Sequence, residues 1–501
     1  MKLRVLFDNR TEEYDVTKGE SVLNVLQQNH IEIDAPCGGN GSCGKCRVKV
    51  AGEKEWRLAC RLVPEHDMTV ELPPPDGTAS IVTERFINRI QNGADETEQT
   101  ALQDGYGIAI DIGTTTIALE LISCREQKTI AVEAKMNEQR IYGADVISRI
   151  RAANEGKDRE LCNRIRSCLT DGIRYLLDKA KIPAKEVREI VVAANTTMVH
   201  LLLHFPCDKL GEYPFRPHSL QAEIRKAGEL FAVEGLDCKV LIFPGISAFV
   251  GGDIVAGLFS ENFLNREERT FFLDLGTNGE MVIGNREHLI TASAAAGPAF
   301  EGGGLSWGTG SIPGAVCGFS LSGGKRVRTI GDQAPCGICG SGAVEIIAEL
   351  LNAGFVDETG LLVEEYFETG YPVAENEAGE MIYLSQKDIR EFQMAKAAIR
   401  AGIEILSRKS GIPLSEIDSF VIAGGFGFYL NLDKACRIGL LPKQCRDRMH
   451  VSGNTSLAGA AKALFTGGIE EETDCLRSRV TEVNLAEEGD FQEIYMEQMY
   501  F

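Results

Sequence analysis

Two stretches decide the architecture: GIAIDIGTTT at residues 107–116 and FFLDLGTNG at residues 271–279. In each, an apolar run closes on Asp-x-Gly-Thr, at Asp111 to Thr114 and at Asp274 to Thr277. A second apolar run follows each turn, Ile117 to Ile122 and Met281 to Ile283, so both read as strand, tight turn, strand. Each half also holds a strand ending in small residues, IVVAAN at 190–195 and FVIAGG at 420–425. The repeat is too long and too degenerate for a solenoid and predicts a domain of two related lobes. From Gly105 onward, β-branched strands alternate with Ala-rich helical stretches, so the class is α/β with parallel or mixed sheets. This domain is expected over residues 105–468.

The turns carry a chemistry. At such a hairpin the Gly and Thr amides bind phosphate oxygens, and glycine lets the chain approach them. The Asp at the strand end holds a hydrated Mg²⁺. One Asp-x-Gly-Thr is weak, because turns use Asp and Gly freely. Two in matching contexts are stronger, and facing hairpins would clamp a polyphosphate from both sides. The candidates are Asp111 and Asp274 as catalytic residues, with Gly113, Thr114, Thr115, Thr116, Gly276, Thr277 and Asn278 on phosphates. Gly424 and Gly425 would let an adenosine lie against bare backbone. No phosphate-binding loop of the G-x-x-x-x-G-K-[ST] type is present. The run GPAFEGGG at 297–304 reads either as a phosphate-side or hinge loop or as a plain surface loop. Asp253, after Gly251 and Gly252, reads either as a catalytic base or as a helix cap.

Residues 1–72 read as a separate β-rich module with one short amphipathic helix after Ser21. Cys37, Cys43, Cys46 and Cys60 give C-x5-C-x2-C-x13-C, and four glycines fall between the first three thiols. Iron bridged by sulfide needs thiolates converging from one loop and amides pointing at sulfur, and glycine permits both. Four cysteines satisfy one [2Fe–2S] cluster. A zinc site would usually pair two C-x2-C units, and here one stands in a long glycine-rich loop. PPPDG at 73–77 then ends any sheet, and residues 73–104 are expected to be a linker with a short helix.

The 501 residues carry a net charge of -21, which argues against nucleic acid as a partner. No run approaches the roughly 20 apolar residues of a membrane span. Fifteen cysteines with no secretory signal point to a reducing cytoplasm. Cys336-x-x-Cys339 lacks a second pair and reads as a glycine-rich turn, and His200 and His204, at i and i+4, read as satisfied histidines on a helix. Residues 469–501 hold ten acids from Glu470 onward against Arg477 and Arg479, which reads as a solvated acidic tail.

With these residues in hand, the chain is similar to known families. Residues 105 to about 468 resemble the actin-like ATPase superfamily of sugar kinases, heat-shock chaperones and actin, and the first module resembles a β-grasp [2Fe–2S] ferredoxin. The order ferredoxin, linker, actin-like domain resembles the reductive activators of corrinoid proteins. The linker runs almost directly into Asp111, so the middle domain of some longer relatives is expected to be absent. The resemblance implies ATP with Mg²⁺ between the lobes and one-electron reduction of an inactive Co(II) corrinoid to Co(I) by the cluster. It implies two partners, a corrinoid protein of a methyltransferase system and an upstream low-potential electron donor, and leaves a homodimer open. Two alternatives stay beside it: a small-molecule kinase with a redox-regulatory ferredoxin, and an activator of a non-corrinoid enzyme such as a radical dehydratase.

Overall fold

The computed structural model describes residues 1–7, 10–17, 19–29, 31, 33, 46–53, 56–72, 105–143, 145–322 and 326–501. The expected linker at 73–104, and Cys37 and Cys43, lie outside them. The first module comprises β1 (Lys2–Phe7), β2 (Arg10–Asp15), α1 (Val22–Gln28), β3 (Arg47–Val50), β4 (Trp56–Leu58) and β5 (Met68–Glu71). Its strand order is β2-β1-β5-β3-β4, with β1 and β5 parallel at the centre, as in a β-grasp sheet. Alternation in β1 turns Leu3 and Val5 inward against Val22, Val25 and Leu26 of α1, all of them buried. Ser21 starts that helix by accepting from Asn24 N at 3.3 Å. On its other side, Gln27 Nε2 donates to the Ile141 carbonyl at 2.7 Å, which ties α1 to the next domain.

The first lobe contains β6 (Tyr106–Ile112), β7 (Thr116–Ser123), β8 (Lys128–Met136), α2 (Val146–Ala152), α3 (Asp158–Ala180), β9 (Val187–Ala194), α4 (Thr196–Leu203), β10 (Glu223–Lys226), α5 (Ala227–Leu230), β11 (Lys239–Ile242) and α6 (Gly252–Ser260). Its sheet runs β10-β11-β9-β6-β7-β8. The second lobe opens with β12 (Thr270–Leu275), β13 (Gly279–Gly284) and β14 (Leu289–Ala294). It continues with β15 (Ala315–Phe319), β16 (Val327–Thr329), β17 (Gly337–Ile338), α7 (Gly340–Ala353), α8 (Glu364–Phe367), β18 (Tyr371–Glu375), β19 (Met381–Leu384) and α9 (Gln386–Ser410). It closes with β20 (Ser419–Ala423), α10 (Leu432–Arg437), β21 (Met449–Gly453), α11 (Thr455–Ala463), α12 (Ile469–Ser478), β22 (Val480–Glu482) and α13 (Phe491–Glu497). Its main sheet runs β21-β20-β12-β13-β14-β22.

The two sheets repeat one plan. Three antiparallel strands, β6-β7-β8 or β12-β13-β14, are joined by two parallel ones, β9 and β11 or β20 and β21. Asp111 stands level with Ala193 on β9, and Asp274 level with Ala423 on β20. Burial along β6 is nearly continuous because both faces are covered. Ile108 and Ile110 pack toward α3 and α4, while Ala109 and Val191 face α6 and α11. The latter pair of helices lies between the sheets, and Phe272 and Val421 reach the same layer from the second lobe. Burying a side chain such as Phe272 there contributes about 1.5–3 kcal/mol.

Residues 469–501 are not a solvated tail. Their acids face outward while Ile469, Leu476, Leu485 and Ile494 are buried. The strand β22 pairs in parallel with β14, and Met499 accepts from Gln393 Nε2 at 2.9 Å. Arg408 and Lys409 on α9 pair with Asp490 and Glu488, each at 2.7 Å. The segment is therefore an edge and a brace of the second lobe.

Candidate active site

The first hairpin is held by side chains distant in sequence. Asn195 caps α4, its Oδ1 accepting from Met198 N, which leaves Nδ2 to donate to Thr114 Oγ1 at 3.1 Å. Asn454 caps α11 in the same way and donates to Asp111 Oδ2 at 2.7 Å. Ser456 Oγ donates to Asp111 Oδ1 at 2.8 Å. In both caps the helix fixes which end of the amide faces the hairpin. Arg149 is fully buried behind the turn, donating to Thr114 O at 2.6 Å and to Gly143 O at 2.9 Å. Burial, partly offset by Asp145 and Glu301, pulls its guanidinium down to about 10. Asn137 Nδ2 completes the support on Gly113 O at 2.9 Å.

The second hairpin meets the strand of Gly424. That residue has φ +91, and a Cβ there would stand 2.7 Å from Asp274 Oδ1. Glycine is required on both counts. Gly425 faces open space, as a bound ring would need. The cross-strand partner of Asp274 is Glu280, where the first lobe places Ala118 opposite Asp111. Glu280 was not singled out from the sequence, because its neighbour across the turn is known only from the register.

Between the lobes the acids accumulate. Burial, then Asp253 and Asp111, push Asp274 up to about 8. Burial also pushes Asp253 up to about 7, offset by the Ile254 amide and reinforced by Asp111. Glu280 is raised well above the carboxylate range by burial, Asp253 and Asp274. Asp111 is raised by burial, with Asn454 and Ser456 opposing. Like charges in such a site call for a cation. Among the described residues no group of three or more acids, histidines or cysteines is arranged to hold a metal ion. An ion there would take much of its coordination from water and phosphate. Asp253 is not the cap of α6, which is Gly251, but it does bond the Ile254 amide at 2.9 Å.

Glu301 joins the two hairpins. Its Oε2 accepts from Thr115 Oγ1 at 3.1 Å and from Thr277 Oγ1 at 2.8 Å, one threonine from each lobe. The 297–304 run is therefore not a plain surface loop. In the first module, the Ala59 amide donates to the Cys46 carbonyl at 2.6 Å, so Cys46 and Cys60 arrive from adjacent ends of β3 and β4. Cys46 is buried. The two described thiols thus fit ligands entering a cluster from neighbouring strands. The remaining motifs are structural. His200 is bonded to Thr196 O and the His218 amide, and His204 to Asp158 at 2.6 Å. Cys339 is buried at the start of α7, its thiol on Val316 O, and Cys336 is exposed.

The acid cluster makes stability depend on pH. Acids whose folded values lie near 7 and 8 keep protons that the unfolded chain releases near pH ~4. Stability is therefore full below about pH 4 from these groups and falls as pH rises toward about 8. Without metal or nucleotide, the melting temperature of the lobes should therefore fall steadily across that range. Calorimetry should show the slope flattened by Mg²⁺ with a non-hydrolysable ATP analogue. An unchanged slope would separate these carboxylates from any cation.

Three family models match the chain: a 2Fe–2S iron–sulfur cluster binding domain at residues 6–65, the RACo middle region at 106–266, and the C-terminal domain of RACo, the ASKHA domain, at 268–501. The region named as the middle is therefore present, as the first lobe, against the expectation that a middle domain is missing. The corrinoid activation enzyme RamQ of Eubacterium limosum is 30% identical, over 99% of this chain and 98% of its own. A [Co(II) methylated amine-specific corrinoid protein] reductase of Methanosarcina barkeri is 27% identical over 72% and 70%. The solved structure of a reductive activator for corrinoid, iron–sulfur protein superposes with a TM-score of 0.75 at 28% identity, covering 100% of this chain and 98% of that one. No helix among the described residues is long and apolar enough to cross a membrane.

Proposed function

The chain belongs to the family of reductive activators of corrinoid proteins, and from that premise we propose that it restores a Co(II) corrinoid to Co(I) at the expense of ATP. It is an ATP-hydrolysing reductase. The observation that carries the reading is the pairing of a 2Fe–2S module with two phosphate hairpins that converge on one point between the lobes.

Cys37, Cys43, Cys46 and Cys60 would hold the [2Fe–2S] cluster, which supplies one electron at a potential of roughly -400 mV. That is too weak for the cobalt couple unaided. Hydrolysis between the lobes provides the difference by changing how the partner is held. Asp111 and Asp274 would orient Mg²⁺ and its waters, with Asp253 and Glu280 as the further acids that make a cation necessary. Thr114, Thr115, Thr116, Thr277 and Asn278, with the Gly113 and Gly276 amides, would hold phosphates. Gly424 and Gly425 would face the adenosine. The partners are a corrinoid protein and an upstream donor, in the cytoplasm. The kinase alternative is set aside because the relatives are named as corrinoid activators and not as kinases.

The test is to mix the reduced protein with a corrinoid protein in its Co(II) form and record visible spectra with and without Mg·ATP. Co(I) is expected to accumulate only with ATP. Equal reduction without ATP, or none in either case, would overturn the reading.

A further inference from the structure

Among the described residues Glu301 is the one carboxylate bonded by both hairpins, and the geometry points to it as the base that takes the proton of the water attacking ATP. This rests on the proposed function for the presence of ATP in the cleft. Thr115 and Thr277 come from matching turns of opposite lobes, yet their hydroxyls meet on a single oxygen, Oε2 of Glu301. A phosphate gripped from both lobes must lie within reach of those same hydroxyls. Glu301 would then stand at the phosphate end of the nucleotide and not beside the base or ribose. Three other acids of the cleft accept bonds from groups that are not on the hairpin turns. Asp111 is bonded by Asn454 and Ser456, Asp253 by the Ile254 amide and Glu280 by Ser293. The hydroxyl partners of Glu301 are the groups that phosphate oxygens would claim, which would leave its carboxylate free for water.

Its backbone suits the role. Glu301 ends a short 3₁₀ turn, Pro298–Glu301, between Gly297 at φ +76 and Gly302 at φ +77, and Gly302 lies tight against the Thr309 backbone, which holds the carboxylate in place. Arg149 lies behind Thr114 and acts on Glu301 electrostatically, limiting the rise that burial causes. A carboxyl raised by burial is a better base than a solvated one.

In the step itself, the water oxygen forms a bond to the γ-phosphorus as the bond from that phosphorus to the β,γ-bridging oxygen breaks. ADP leaves with both electrons of the broken bond. The water proton passes to Glu301 and then to the phosphate or to solvent. No oxidant or reductant takes part.

The test compares wild type with Glu301→Gln and Glu301→Asp in the full-length holoprotein. Gln keeps an oxygen for Thr115 and Thr277 but cannot take a proton. We expect Glu301→Gln to bind ATP within about threefold of wild type and to hydrolyse it about 10²–10³-fold more slowly. The acidic limb of the kcat–pH profile should disappear with it, and Glu301→Asp should retain part of the rate and keep the limb. Hydrolysis by Glu301→Gln within a few fold of wild type overturns the assignment. So does an equal loss of ATP binding and turnover in a variant that melts normally, which would make Glu301 a lobe-positioning residue. Absence of ATP hydrolysis in wild type would instead overturn the proposed function.

Discussion

Asp274→Asn is expected to be more stable than wild type without nucleotide, and about a thousandfold slower at hydrolysing ATP. Asp274 lies opposite Glu280 and near Asp253 and Asp111, and this setting pushes it up to about 8. An amide has no charge to desolvate, so the ligand-free lobes should gain about 1 kcal/mol. With Mg²⁺ bound, the same position needs an anion, and losing it misplaces the ion and its waters. A thousandfold loss corresponds to about 4 kcal/mol of barrier. Asp111→Asn should be equally slow, yet it can keep both bonds, its Oδ1 accepting from Asn454 Nδ2 and its NH₂ donating to the Ser456 hydroxyl. Melting curves and steady-state turnover separate the two effects. Near-normal turnover in Asp274→Asn would reduce the second hairpin to a structural turn.

Cys60→Ala is expected to abolish Co(II) reduction while ATP hydrolysis stays within about twofold of wild type. The thiol sits one residue past Ala59, whose amide bonds Cys46 O, so its loss opens the cluster on the β4 side. A [2Fe–2S] centre with three thiolates loses its spectrum and its electron. The hydrolytic site lies on other sheets, and among the described residues Gln27 and Ile141 bond the first module to the next domain. Iron and sulfide content, visible absorption and EPR report the first half, and phosphate release reports the second. A native spectrum in Cys60→Ala would remove it from the ligand set, and a collapse of ATPase would mean the cluster also shapes the nucleotide site.

The hairpins were legible because everything that makes them lies within residues 107–122 in one copy and 271–283 in the other. An apolar run, a turn of Asp, Gly and Thr and a second run specify strand pairing locally, and two copies specify the repeat. The 2Fe–2S module was legible for the same reason, since three of its four cysteines and four glycines fall within residues 37–46. The C-terminal segment was misread because composition outweighed position. Its ten acids are conspicuous, while Ile469, Leu476, Leu485 and Ile494 are too sparse to announce a buried face.

What the sequence determined by itself is thus the class of fold, the two-lobed repeat and the residues that carry charge at each turn. Tertiary structure decided which side chains complete them. Asn454 and Ser456 reach Asp111 from more than 340 positions away because α11 packs between the sheets. Glu280 opposes Asp274 through strand register, and Glu301 bridges Thr115 and Thr277 because two lobes close on one loop. Local sequence fixes dihedral preference and period, whereas such meetings depend on how covered sheets stack, which is set by the summed burial of many residues and not by any one motif.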